Sequence, residues 1–191
     1  AGEELEALAA QLPVVTAPIA RLRVNKPPYK FLDYFEEADA DIFCGRDVES
    51  QLVFRLALSG RVLTLFGPSG AGKTSLLLAG VQPRLKQEGC TVLYLRALDD
   101  PLPALRRAVA RRAGRDEDGT DRPLRQTLSE QLRPDDRLVI VFDQFEELFL
   151  RVGSRSRAAF FAQVAEVVKD AERDVRFIFS LREDYLPRLD E

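Results

Sequence analysis

The chain has 191 residues, of which 46% are hydrophobic and 31% charged, and a formal net charge of −3. These values predict one globular domain with a sizeable core, and they argue against nucleic acid or an acidic membrane surface as a charge-driven partner. The sequence has no histidine, which excludes histidine-based general bases and histidine zinc ligands. No apolar run approaches the roughly 20 residues of a membrane span, so we expect no membrane partner.

The first 28 residues are predicted to be a linker or lead-in segment, and residues 29–191 to be the core domain. Leu5, Leu8 and Leu12 have helical spacing, and four prolines follow them. The sequence also has no methionine, so we expect an excised fragment. Cys44 and Cys90 stand far apart, which is typical of buried, unpaired thiols in a reducing cytoplasm.

A helix is predicted after the stretch FCGRD, which ends at Asp47. Asp47 could cap this helix, with Val48, Leu52 and Leu56 on one face. On composition alone, Gly45 and Arg46 in that stretch indicate a turn and a solvent-facing arginine.

The stretch RVLTLFGPSGAGKTSLLLAG, residues 61–80, predicts a buried strand, a loop and a helix in that order. The loop fits G-x-x-x-x-G-K-[ST], the Walker A phosphate-binding pattern. Glycines let backbone N–H groups approach a phosphate, and the amino end of a helix attracts anions. The predicted nucleotide-binding residues of this loop are Gly67, Pro68, Ser69, Gly70, Ala71, Gly72, Lys73, Thr74 and Ser75.

Two residues of this loop have predicted roles of their own. Lys73 is predicted to reach the β- and γ-phosphates of a bound nucleotide, and the Thr74 hydroxyl to bind Mg²⁺. Pro83, further along, is expected to perturb or end the helix that follows the loop.

The middle of the chain predicts a strand over residues 91–96, a helix from Leu102, a polar loop over 114–123 and a helix near 123–132. Arg106, Arg107, Arg111 and Arg112 are placed on or near the outer side of the first of these helices. Acidic residues follow directly, so a solvated face is favoured over a nucleic-acid or partner patch.

Asp143 follows an apolar run of strand length, residues 138–142, which is the Walker B pattern. Such an aspartate is often a helix cap, but an upstream Walker A motif favours a carboxylate that binds Mg²⁺. Phe160, Val164 and Val167 then mark the buried face of another helix. A last strand, residues 175–180, precedes Arg182.

Strands that alternate with helices predict an α/β fold with a mainly parallel sheet between two helical layers. A strand between the two motifs is typical of the additional-strand division of P-loop NTPases. We therefore expect the order 61–66, 175–180, 138–142, 91–96. A fifth strand beyond the first is usual in that division, so a truncation before the last core strand is expected.

Four stretches together resemble the novel STAND NTPases of bacteria, which are relatives of the NACHT and apoptotic ATPases. They are PYKFLDYFEEADADIFCGRD, GPSGAGKTSLLLAG, VIVFDQFEELF and FIFSLRED, and the resemblance covers roughly residues 28–191. It implies an ATP- and ADP-binding domain with Mg²⁺, which acts as a slow regulatory switch between an effector and a sensor region of one signalling or defence protein. A homo-oligomer formed on activation is also implied.

The resemblance implies further site residues. Phe43, Gly45 and Arg46 match the segment that lies against adenine, and Arg182 matches an arginine that contacts the γ-phosphate. Glu146 and Glu147 match an acidic pair that orients or deprotonates the attacking water, and Glu146 is favoured without excluding Glu147. For Glu146 and Glu147, the alternative to a catalytic role is that acidic residues are favoured in the exposed first turn of a helix. For Arg182, the alternative is an ion pair with Glu183.

Gln144 stands where many additional-strand ATPases have the catalytic glutamate, which argues for slow hydrolysis. Two other functions stay open on the sequence: a turnover enzyme, either a motor-type ATPase or a small-molecule kinase, and an interaction module with a structural nucleotide.

Overall fold

The computed structural model describes residues 30, 33–96, 100–112, 114 and 122–190. The predicted lead-in segment over 1–28 lies outside these residues, as does most of the predicted loop over 114–123. Within the described ranges, no helix is both long and apolar enough to cross a membrane.

A single four-stranded sheet lies at the centre of the described chain. Its strands are β1 (Val62–Gly67), β2 (Cys90–Arg96), β3 (Arg137–Asp143) and β4 (Asp174–Arg182). All neighbours are parallel, in the order β1-β4-β3-β2. The predicted α/β fold and strand order are therefore confirmed.

Helices cover both faces of the sheet and form two hydrophobic cores. One face is covered by α1 (Asp47–Ser59) and α2 (residues 73–87). The core on the other face includes residues of α3 (Pro101–Arg112), α4 (Leu124–Gln131), α5 (Glu146–Arg151) and α6 (Ser154–Lys169). Strands β3 and β4 are almost fully buried, because parallel strands between two helical layers are shielded on both sides. Short 3₁₀ segments span Glu37–Asp39 and Glu183–Asp190.

Helix α2 does not end at Pro83 but is perturbed just before it, which is one of the two expected outcomes. It consists of Lys73–Ser75, a π-helical stretch Leu76–Val81, and Gln82–Gln87. Proline has no N–H to donate and its ring crowds the preceding turn, so a widened turn before Pro83 lets the helix run on.

The apolar face predicted for α1 is not a buried face. Val48, Leu52 and Leu56 are 80%, 56% and 44% exposed. The helix instead buries Ser50, Val53 and Ala57. The small residues Gly80 and Ser50 let α1 approach α2 closely, with Ser50 facing α2.

Two further expectations are corrected. Arg106 is buried rather than solvated, and its guanidinium donates to Gln163 Oε1 at 3.4 Å. Both cysteines are free as expected, but only Cys90 is buried, while Cys44 is exposed.

Candidate nucleotide-binding site

The glycine-rich loop joins the end of β1 to the start of α2 and lies at the carboxyl edge of the sheet. Gly70 and Gly72 have φ angles of +76° and +79°, a left-handed backbone that glycine adopts readily. The loop borders a cavity of about 410 Å³ that has the following lining: Asp33, Tyr34, Ser69, Gly70, Ala71, Gly72, Lys73, Thr74, Ser75, Asp143, Gln144, Glu146 and Arg182.

Lys73 folds back over the loop from the first turn of α2. Its ammonium donates to the carbonyl oxygens of Gly67 at 2.9 Å and Pro68 at 3.0 Å. A positive charge is thus held at the cavity beside the amino end of a helix, and both features favour an anion.

Thr74 and Asp143 are in direct contact across the cavity floor. The Thr74 hydroxyl donates to Asp143 Oδ2 at 2.7 Å, and Asp143 is only 1% exposed. The predicted pair of metal ligands therefore comes together in space, although 69 residues separate them in the chain.

Tyr94, near the end of β2, also contacts Asp143, and the sequence analysis did not identify it. Its hydroxyl donates to the same Oδ2 atom at 2.7 Å. Burial, together with the charge and the hydrogen bond of Asp143, raises the pKa of Tyr94 well above its ordinary value. A signal was present: parallel strands end at one sheet edge, so a polar aromatic near the end of β2 lies close to the end of β3.

The chain after β3 turns sharply and separates the two predicted acidic residues. Gln144 has a φ of +54°, and the Phe145 N–H bonds to the Ser180 carbonyl at 2.8 Å, so the Phe145 ring enters the core. Glu146 then lines the cavity. Glu147 points elsewhere and pairs with Arg151 at 2.5 Å.

Arg182 ends β4 and lines the same cavity. Its guanidinium forms two bonds to Asp184, at 3.0 and 2.6 Å, rather than the pair with Glu183 considered from the sequence. These bonds and the Asp184 charge raise the pKa of Arg182 above its ordinary value. The backbone N–H of Arg182 also donates to Glu146 Oε2 at 3.3 Å, which links two of the predicted catalytic residues.

Residues 43–46, directly before α1, are not among the residues that line the loop cavity. Phe43 stacks at a tilt on Phe35, with ring centroids 5.5 Å apart. Gly45 has a left-handed φ of +85°. Arg46 Nη2 lies 4.0 Å from the position of a Cβ built on Gly72, so this arginine is next to the loop.

A second cavity, of about 600 Å³, lies between residues 34–38, α2 and β2. It shares Tyr34 with the loop cavity, and its lining includes Tyr94 and Arg96. It is the larger of the two, but the glycine-rich loop, Lys73 and Asp143 all belong to the smaller one, which is therefore where phosphate chemistry fits.

The oxygen donors present fit Mg²⁺. This ion prefers oxygen ligands and is usually bound through one or two carboxylates together with substrate phosphates and water. Thr74 and Asp143 supply one hydroxyl and one buried carboxylate. In the part of the chain that the structure describes, no group of three or more acidic or cysteine side chains could hold a metal by itself. The donor set thus suits a cation shared with a phosphate.

A parallel sheet in this order, with a glycine-rich loop between β1 and α2, defines the fold of P-loop ATPases. The chain belongs to the Novel STAND NTPase 1 family, which matches residues 28–191. No curated protein matches the chain.

Solved structures agree on the fold. The Walker-type ATPase of Pyrococcus abyssi is 15% identical, with a TM-score of 0.55, and the match covers 81% of this chain and 49% of that one. The ORC1 protein of Aeropyrum pernix in complex with DNA is 19% identical, with a TM-score of 0.53, and coverage of 81% and 46%. The ORC2 protein of Aeropyrum pernix, in its ADPNP-ADP complexes, is 17% identical, with a TM-score of 0.50, and the match covers 76% of this chain and 45% of that one. This chain therefore spans about half the length of the ATPases it matches.

Proposed function

We propose that this chain is the ATP·Mg²⁺-binding and slowly hydrolysing switch domain of a larger STAND signalling or defence protein. The observation that carries the proposal is the 2.7 Å contact between Thr74 and Asp143 beside the glycine-rich loop. It brings a hydroxyl and a buried carboxylate to the mouth of an anion-binding loop, as a metal–triphosphate site requires. The similar ORC2 protein of Aeropyrum pernix was solved with ADPNP and ADP, which supports an adenine nucleotide as the ligand in this proposal.

Each residue has a defined task in this proposal. Lys73 leaves the carbonyls of Gly67 and Pro68 and pairs with the β- and γ-phosphates. Thr74 and Asp143 hold Mg²⁺, which neutralises charge on the phosphates. Arg46 and Phe43 belong to the segment on the adenine side, with Arg46 close to Gly72.

Hydrolysis is assigned to Glu146 and Arg182. Glu146 lines the cavity and orients or deprotonates the attacking water, while Arg182 contacts the γ-phosphate. Slow turnover is expected because Asp184 already holds the Arg182 guanidinium through two bonds, and Gln144 has no carboxylate to act as a base. ATP binding and hydrolysis would then switch the state of effector and sensor regions of the same protein.

A titration of a fluorescent ATP analogue with Mg²⁺, in competition with ATP, ADP and GTP, tests the proposal. Lys73→Ala should weaken binding about 10- to 100-fold, because a hydrogen bond to a charged group contributes about 1.5–3 kcal/mol. The control is Lys86→Ala, at the other end of α2, where Lys86 pairs with Glu37 at 2.7 Å. Equal affinity of both variants would reject the site. Many turnovers per second, or phosphoryl transfer to a small molecule, would instead favour the turnover enzyme.

A further inference from the structure

Asp143 receives two hydroxyl donors on a single oxygen. The Thr74 and Tyr94 hydroxyls each lie 2.7 Å from Oδ2. The two donors line different cavities: Thr74, at the start of α2, lines the nucleotide cavity, whereas Tyr94 lines the second cavity. Only Thr74 is therefore placed to contact a bound cation.

The sheet register explains why Tyr94 reaches Asp143. Tyr94 pairs with Val141 and Arg96 with Asp143 in the parallel β2–β3 ladder. Side chains alternate along a strand, so Val141 and Asp143 lie on one face. The partly buried Tyr94 ring packs against the core that Val141 shares with α1 and α2, which places its hydroxyl on the same face as the carboxylate.

The two hydroxyls cannot have the same role in a loaded site. A hydroxyl that ligates a cation does so through an oxygen lone pair, and the position of the cation then decides where its O–H can donate. Tyr94 has no such competing role, because its ring packs against the core and lines the second cavity rather than the nucleotide cavity. Its bond to Oδ2 can persist when the cation is bound.

We propose that Tyr94 is the positioning residue of the Mg²⁺ site: its hydroxyl holds the Asp143 carboxylate in the orientation that binds the cation. This inference rests on the proposed function. Groups that orient a metal ligand from outside the coordination sphere typically raise metal affinity 10- to 100-fold. The residue is thus needed for the cation and not for the nucleotide itself.

The test uses Tyr94→Phe in the full chain, which keeps the ring and removes only the hydroxyl. A fluorescent ATP analogue is titrated at a series of Mg²⁺ concentrations and again with excess EDTA. We expect the Mg²⁺ concentration for half-maximal binding to rise about 10-fold, with little change in the EDTA series. The control is Thr91→Val, which removes a hydroxyl from the other end of β2, where Thr91 contacts Arg112 at 2.9 Å.

A double-mutant cycle with Asp143→Asn separates orientation from a general effect on the fold. Tyr94→Phe should not change the Mg²⁺ requirement further when Asp143 has already been replaced. A wild-type Mg²⁺ requirement in Tyr94→Phe would overturn the inference, as would an equal loss of affinity with Mg²⁺ and with EDTA. If the wild-type chain binds no nucleotide at any Mg²⁺ concentration, the proposed function fails before this inference is reached.

Discussion

Glu146 and Glu147 are adjacent in sequence but have different surroundings. Glu146 lines the loop cavity and accepts the Arg182 N–H, whereas Glu147 forms an i,i+4 pair with Arg151 on the surface of α5. Adjacent residues at the start of a helix point about 100° apart, so only one of them can face the cavity. Their separation supports Glu146 as the base in the proposed mechanism.

Glu146→Gln should lower the rate of ATP hydrolysis by about 100-fold or more, since a general base contributes roughly 10²–10⁴-fold. Nucleotide affinity should stay near the wild-type value, because the amide has the shape of the carboxylate. Single-turnover hydrolysis with radiolabelled ATP measures the first quantity and fluorescence titration the second.

The matched control is Glu147→Gln, which changes the same side chain one residue away. Its exposed pair with Arg151 is worth little, so hydrolysis should stay near the wild-type rate. A larger loss in Glu147→Gln than in Glu146→Gln would reverse the assignment.

At the scale of elements, the contact between α1 and α2 depends on Gly80. A Cβ built there would lie 2.3 Å from Ser50 Oγ, 3.1 Å from Ser50 Cβ and 3.2 Å from Phe43 Cε1. Helix α2 carries Lys73 and Thr74 at its start, and Phe43 belongs to the segment before α1. This one small residue therefore lets the two functional segments pack together.

Gly80→Ala should lower the free energy of unfolding by about 1–3 kcal/mol, the usual effect of overpacking a core. Denaturant unfolding followed by circular dichroism measures it. Gly60→Ala is the control, because its Cβ would have only an ordinary contact, 3.6 Å from the Val62 carbonyl. Adding Ser50→Gly should restore much of the loss. If Gly80→Ala has the wild-type free energy of unfolding, α1 can move away from α2 without cost, and the prediction is wrong.

At the scale of the whole molecule, Arg125 and Asp170 join α4 to the end of α6. Arg125 Nε lies 2.8 Å from Asp170 Oδ2, and the Glu172 N–H donates to Oδ1 at 3.0 Å. The Arg125 hydrogen bond, and after it the Glu172 N–H, hold the pKa of Asp170 below its ordinary value. A carboxyl with a lowered pKa in the folded state stabilises that state above its unfolded pKa of about 3.9.

Asp170→Asn should therefore lower Tm by about 2–4 °C near neutral pH, a small effect because Arg125 is exposed. The difference from wild type should be constant above about pH 5 and shrink as the pH falls below about 4. Thermal scans from pH 3 to pH 8 measure it. Glu166→Gln is the control, because the ion pair that Glu166 forms with Lys169 is exposed. A difference that grows toward low pH would contradict the account.

Much of the architecture was predictable because the relevant signals are local. Apolar runs of strand length predicted all four strands to within a few residues, and the likeness to the additional-strand division of P-loop NTPases predicted their order in the sheet. The left-handed Gly70 and Gly72 fit the motif pattern as well. The family resemblance, seen from four stretches, is confirmed over residues 28–191.

The site's finer geometry was decided by tertiary packing. The strand order placed the end of β2 near the end of β3, but the direct contact of Tyr94 with Asp143, 49 residues away, depends on the parallel register of these two strands. Likewise, α1 packs on α2 through Ser50 at Gly80, while its apolar face is exposed. The sequence by itself determined which segments form the loop and the sheet, since these depend on neighbours along the chain. Only the tertiary structure decided which side chains share an oxygen or a cavity, since those contacts depend on how separate elements pack.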